Sequence, residues 1–217
     1  DSYGVTVDPR RIALTCGASP ALVLALSTAF NPGDRIALAR PGYVAYRNTI
    51  RALNLVPVEI PCGEAERFQI SAAAIAALDP APQGILLASP ANPTGTILPD
   101  TELAAIAAAA RKIGARIVSD EIYHGLTYGP AIHSMLEHEP SAYIVNSFSK
   151  YFSMAGWRLG WLVSPEDGVA RTSAYIGNLF LTAPSLAQHA GLVAMESRAE
   201  LDAHVEVYRA NRALMLD

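Results

Sequence analysis

Lysine is scarce in this chain: Lys112 and Lys150 are the only two, against fourteen arginines. Surface cation duty therefore falls to arginine, and each lysine asks for a reason. Cysteine is scarce as well. Cys16 and Cys62 make neither a disulfide framework nor a metal-ligand spacing, and they read as two buried thiols of a cytoplasmic protein. Charged residues are 17% and the net charge is −4, which lacks the basic footprint of a nucleic-acid binder. No apolar run approaches the roughly 18 residues of a membrane span. The alanine-rich stretch Leu103–Ala110 reads instead as a buried helix face. H-E-x-x-H, G-x-G-x-x-G and the P-loop are absent, as are internal repeats and low-complexity linkers.

What is present is a large apolar fraction, 51%, enough for a sizeable core. Short β-rich runs alternate with helical ones. The strands fall at 12–15, 35–39, 56–60, 85–88, 116–119, 143–146 and 159–163, and the helices at 20–30, 44–53, 71–78, 100–113, 165–179 and 185–216. Asp100 reads as an N-cap and Gly114 as the residue closing the same helix. This alternation predicts an α/β fold: a mostly parallel seven-stranded sheet with helices on both faces. Between Asn146 and Leu159 only about a dozen residues intervene, too few for a comfortable crossover, so one antiparallel strand is expected there. The chain opens on Asp1 without Met and stops inside a helical pattern. It is expected to be a piece of a longer protein, with residues 1–185 a large domain and 186–217 a helix leading toward a further one.

In open α/β sheets ligands lie beyond the carboxyl ends of the strands. The polar residues just after each predicted strand therefore form the candidate site. They are Cys16-Gly17-Ala18-Ser19, Pro41-Gly42-Tyr43, Asn92-Pro93-Thr94-Gly95, Asp120-Glu121-Ile122-Tyr123 and Ser147-Phe148-Ser149-Lys150. Together they offer phosphate donors, an aromatic face, an amide, a carboxylate, a phenol and an amine. Lys112 ends a helix, where a solvated cation is ordinary. Lys150 follows a strand between Ser149 and Tyr151, and lysine, unlike arginine, can form a Schiff base.

The string Ser147-Phe148-Ser149-Lys150, followed by Gly156-Trp157-Arg158-Leu159-Gly160, resembles the lysine signature of class I/II aminotransferases, pyridoxal-phosphate enzymes of fold type I. Asn92-Pro93-Thr94-Gly95, Ser119-Asp120-Glu121-Ile122-Tyr123, Gly17-Ala18-Ser19 and Pro41-Gly42-Tyr43 stand upstream in the family's order. Ala91 stands where the family often has Asn, and Ala155 where Thr is common. The resemblance implies pyridoxal 5'-phosphate as cofactor and the large domain of that fold. It implies that Lys150 forms the Schiff base and then carries a proton, that Asp120 pairs with the pyridine nitrogen, and that Tyr123 and Asn92 contact the phenolic oxygen. It further implies that Ala18, Ser19, Ser147, Ser149 and Arg158 hold the phosphate and that Tyr43 lies against the ring. Tyr46 and Tyr151 are read as structural. The implied reaction is ping-pong transfer of an amino group from an amino acid to a 2-oxo acid. Its substrates are small molecules and its site forms at a homodimer interface. Family members are longer than this chain, and their arginine for the substrate carboxylate lies outside it.

Two other readings share the fold: a pyridoxal-phosphate lyase or decarboxylase, since the cofactor residues do not select which Cα bond breaks, and the aminotransferase-like sensor domain of a transcriptional regulator. Ser147-Phe148-Ser149-Lys150 also spells the S-x-x-K of serine β-lactamases, but no S-D-N or K-T-G accompanies it. Glu121-Ile122-Tyr123-His124 spells the E-x-x-H of di-iron bundles without a second copy. His133 and His138 sit in a polar loop and read as exposed. No metal ligand set is expected.

Overall fold

The computed structural model describes residues 3–129 and 131–216. In chain order its strands and α-helices are β1 Ile12–Thr15, α1 Ala18–Ala29, β2 Arg35–Arg40, α2 Val44–Ala52, β3 Val56–Pro61, α3 Ala72–Ala76, β4 Gly84–Ala88, α4 Asp100–Ile113, β5 Arg116–Asp120, β6 Tyr143–Ser147, β7 Gly160–Val163, α5 Val169–Leu179, α6 Ser185–Glu196 and α7 Arg198–Leu216. The strands make a single sheet in the order β1-β7-β6-β5-β4-β2-β3. The expected α/β fold is observed: β7 runs antiparallel to both its neighbours, and the other pairings are parallel.

Alternation of side chains across the strands builds two cores. Ile85, Leu87, Ile117 and Ile144 face α3 and α4, while Leu86, Val118 and Val145 face α1 and α2. The central strands β4, β5 and β6 are buried on both sides, which is why their sequences read as near-continuous apolar runs, whereas the edge strands β1 and β3 stay partly exposed. Helix α1 is enclosed almost all round, with Leu24, Ala25 and Leu26 fully buried. Truncating such a leucine costs about 2–5 kcal/mol.

The sheet order brings the candidate residues to one edge. Thr15 at the end of β1 and Ser147 at the end of β6 both pair with Gly160, the first residue of β7. The ends of β1 and β6 and the start of β7 therefore lie side by side. Arg158, which precedes an antiparallel strand, arrives at the same edge as the residues that follow parallel ones.

Several local expectations change. Asp100 is the first residue of α4, and Pro99 with φ −63° occupies the cap position; the carboxylate sits in the first turn, where it suits the helix dipole, and accepts instead from His138 Nε2 at 2.7 Å. Gly114 closes α4 as expected. The long helix expected at 185–216 is broken at Ser197, whose hydroxyl bonds back to the Val193 carbonyl at 3.0 Å and competes with the helical ladder. The segment before α5 opens as a 3-10 turn, Glu166–Gly168. His133 and His138 are only partly exposed. A capping box between Ser134 and Glu137 folds their loop back onto the start of α4, where His133 Nδ1 meets Glu137 Oε2 at 2.9 Å. Cys62 is buried, but Cys16 is only half-buried because it lies on the open sheet edge. Among the described residues no helix is long and apolar enough to cross a membrane.

Candidate active site

At that edge lies a cavity of about 430 Å³. Of the ten residues named from the sequence, all but Ser147 line it. Ser147 is buried beneath the floor, its Oγ accepting the Ser149 N–H at 3.1 Å. Six segments that are separate in sequence thus converge, each delivered by a strand end or a helix start.

One end of the cavity is built for an anion. Helix α1 begins at Gly17 with φ +104° and has no side-chain cap, so the N–H groups of Ala18 and Ser19 and the positive end of the helix dipole face outward. Arg158 lies across this terminus. Its Nη2 donates to the Cys16 carbonyl at 3.1 Å and its Nη1 to the Ala155 carbonyl at 2.9 Å. A Cβ at position 17 would lie 2.5 Å from Nη2. Glycine suits position 17 for its backbone conformation, and a side chain there would also push the guanidinium aside.

Asp120, a buried carboxylate, lines the same cavity. Its Oδ2 accepts from Tyr46 Oη at 2.7 Å and its Oδ1 from the Ile122 N–H at 3.0 Å. Burial pushes the carboxyl above its ordinary range, while these two bonds and the charge of Lys150 pull it back. Burial, with the neighbouring charge of Asp120, also pushes the Tyr46 phenol well up, so Tyr46 remains the donor. Tyr46, read from the sequence as structural, lines the cavity and donates to Asp120. Tyr43, Tyr46 and Thr49 recur every three residues along α2 and its N-cap and all line the cavity. That spacing was the available signal. Ile122 also lines the cavity without having been expected there.

The amine and the phenol line the cavity side by side. Lys150 Nζ lies 5.3 Å from the centre of the Tyr123 ring. Asn92 Nδ2 donates to Tyr123 Oη at 3.3 Å, so the amide and phenol expected to share one oxygen of a ligand already touch. Tyr43 is 41% exposed and stands edge-on to Tyr46, ring centres 5.3 Å apart. It is a large aromatic face left open beside the cavity.

Behind Asp120 the chain turns its other face inward. Glu121 is buried, and its Oε1 accepts from Ser119 Oγ, Ser134 Oγ and the Met135 N–H. His124 is also buried; its Nε2 faces the Ser89 carbonyl at 3.0 Å and must donate there, leaving Nδ1 to accept from Tyr3 Oη at 2.5 Å. Burial raises Glu121 to about 7 and lowers His124 to about 4.

The donor set fits pyridoxal phosphate. A phosphate would meet an uncapped helix N-terminus and an arginine, an aldehyde a lysine amine, and a cationic pyridine nitrogen a buried carboxylate that two neutral donors only partly stabilise. The family model for class I and II aminotransferases matches residues 1–217. Valine–pyruvate aminotransferase of Mycobacterium tuberculosis is 44% identical over 99% of this chain and 56% of its own length. A crystal structure of an aminotransferase from M. tuberculosis superposes with a TM-score of 0.96 at 44% identity, covering 99% of this chain and 57% of that one. The Thermus thermophilus aspartate aminotransferase with maleate gives 0.92 at 30% identity, covering 99% and 58%. The chain thus spans little more than half the length of the relatives it matches. Their class depends on pyridoxal 5'-phosphate. From the cavity and from these matches alike, the chain belongs to the class I and II aminotransferase family.

Proposed function

We propose that the protein containing this chain is an aminotransferase that moves an amino group from an amino acid to a 2-oxo acid by a ping-pong reaction. One observation carries the reading: a lysine amine, a buried carboxylate and a helix N-terminus crossed by an arginine line the same cavity. When bound, pyridoxal phosphate supplies an electron sink for the pair released at the substrate Cα. Lys150 is the amine that would hold the cofactor through its aldehyde, and its free amine would be the base that takes the proton from the substrate Cα. Asp120 would pair with the ring nitrogen and keep it protonated. Tyr46 and the Ile122 N–H keep Asp120 ionised and aimed, while Tyr123 and Asn92 orient the phenolic oxygen. Ala18, Ser19, Ser149 and Arg158 bind the phosphate, with Ser147 supporting Ser149 from below, and Tyr43 limits ring tilt.

Small-molecule amino and oxo acids are the substrates, and the similarity to a protein named valine–pyruvate aminotransferase makes an aliphatic donor and pyruvate the first pair to try. The same proposal takes residues 1–185 as the cofactor domain and 186–217 as the passage toward another; Leu192, Val193 and Leu214 are exposed on α6 and α7 and suit a further covering surface. It includes a homodimer with the site at its interface. Free Cys16 and Cys62 suit the reducing cytoplasm.

The test is the absorption spectrum of the full-length protein with added pyridoxal phosphate, beside Lys150→Ala. A visible band that Lys150→Ala abolishes, and that an amino donor discharges with release of its oxo acid, is the expected result. No band in the wild type refutes the cofactor site. A band with carbon dioxide or elimination products in place of the oxo acid would make the protein a lyase, and a band inert to every donor would make it a sensor.

A further inference from the structure

The turn that carries Lys150 is tied to a helix far along the chain. The residue after Lys150 is Tyr151, and its hydroxyl donates to Asp202 Oδ1 of α7 at 2.6 Å. The Tyr151 ring also presses on Gly125, where φ is +93° and a Cβ would lie 2.5 Å from the ring. Gly125 belongs to the loop that follows Asp120 and bears Tyr123. One phenol therefore touches the lysine turn, the loop that follows β5, and α7.

The lysine turn is internally braced. Ser153 N–H bonds to the Lys150 carbonyl and Met154 N–H to the Phe148 carbonyl, both at 3.0 Å. The Phe148 and Phe152 rings pack 4.6 Å apart, and Phe152 stands edge-on to Tyr151 at 5.1 Å. A turn closed on itself in this way moves as a unit, so a tie at Tyr151 is felt at Lys150. Helix α7 holds the other loop as well. Arg209 Nη1 donates to the Tyr128 carbonyl at 3.1 Å, and its guanidinium lies 5.7 Å from the Tyr128 ring centre. Asp202, Val205 and Arg209 follow one another at helical spacing, so a single stripe of α7 addresses both loops. Burial and the Asp202 charge push the Tyr151 phenol up to about 12, which keeps it the donor.

We infer that Tyr151 is a positioning residue for Lys150: its bond to Asp202 lets the placement of α7 set where the lysine amine stands. The inference rests on Lys150 being the reactive amine of the proposed transamination.

The experiment uses the full-length protein as wild type, Tyr151→Phe, Asp202→Ala, Asp202→Asn and the Tyr151→Phe/Asp202→Ala double variant. Tyr151→Phe and Asp202→Ala should each speed amide hydrogen exchange across 148–154 in the protein free of cofactor. Each should slow single-turnover amine transfer by about fivefold with the donor KM within about twofold, the size of one hydrogen bond lost from placement rather than binding. The double variant should be no slower than either single one, because the two changes break the same bond. Asp202→Asn keeps an acceptor oxygen and should stay near wild type. Exchange changes confined to α7, losses that multiply in the double variant, or a lowered melting temperature at unchanged rate would each overturn the inference. The wild type in the same series tests the functional reading separately: if it forms no visible band, that reading fails, whereas normal wild-type turnover with unaffected variants removes only the tie.

Discussion

Asp120 and Glu121 are adjacent carboxylates, both buried at the end of β5 and both pushed above their ordinary range by burial. They differ in what answers them. Glu121 is closed off by protein, three donors on one oxygen. Asp120 receives one bond on each oxygen and opens on the cavity. Side chains alternate along an extended chain, so at this strand end one carboxylate opens on the cavity and the next turns to the interior. A carboxylate satisfied by its own fold contributes stability; one left short of a counter-charge is available for chemistry.

Substitutions separate the two roles. The largest effect is expected at Asp120: in the full-length protein, Asp120→Asn should lower kcat by about 10²–10³-fold. It removes a buried charge without removing volume, so the urea midpoint should move little. Glu121→Ala should do the reverse, leaving two hydroxyls and an N–H without their acceptor and costing about 1–3 kcal/mol of stability by urea titration, with kcat within about threefold.

The pH dependence of stability sharpens the comparison further. Glu121, raised to about 7, favours the folded state when protonated; that stability is fully present below its ordinary carboxyl range and is lost as pH rises through about 7. His124, lowered to about 4, acts in the opposite sense; its stability is present above the ordinary histidine range and is lost as pH falls through about 4. Each is worth about 3 kcal/mol. Between the two ordinary ranges they cancel, so wild-type stability should be nearly flat in weak acid. His124→Gln should unmask a fall on going from weak acid to neutral pH, and Glu121→Gln a fall on acidification. Urea midpoints across pH check both.

Smaller effects test the walls of the site. Tyr46→Phe removes one of two donors to Asp120 and should slow amine transfer about fivefold, read in single-turnover kinetics. Ser147→Ala should change the affinity for pyridoxal phosphate least, within about threefold, because its hydroxyl serves Ser149 rather than the cavity; fluorescence titration beside Ser149→Ala checks the order.

Much of this was legible before folding. The strands, their order of appearance and the antiparallel step after Asn146 follow from apolar runs, turn residues and connection length, and strand ends locate polar residues. Lys150 stood out because lysine is almost absent. Asp100 misled because its neighbour Pro99 took the cap position. Ser197 was overlooked as a break because serine inside a helical pattern ends it only when its hydroxyl bonds back to the ladder. Tyr46 looked structural because an aromatic on an amphipathic helix reads as core until its hydroxyl finds a partner.

The sequence by itself determined the alternation of elements and which polar groups leave each strand end, since periodicity, glycine and proline act over a few residues. Tertiary structure alone decided which of those groups meet. Tyr46 reaches Asp120 across 74 residues, and Tyr151 reaches Asp202 across 51. Burial, hydrogen-bond partners and the resulting protonation all depend on strand order and helix placement, and these arise from packing the chain around the two cores of the sheet and a smaller cluster beside the lysine turn.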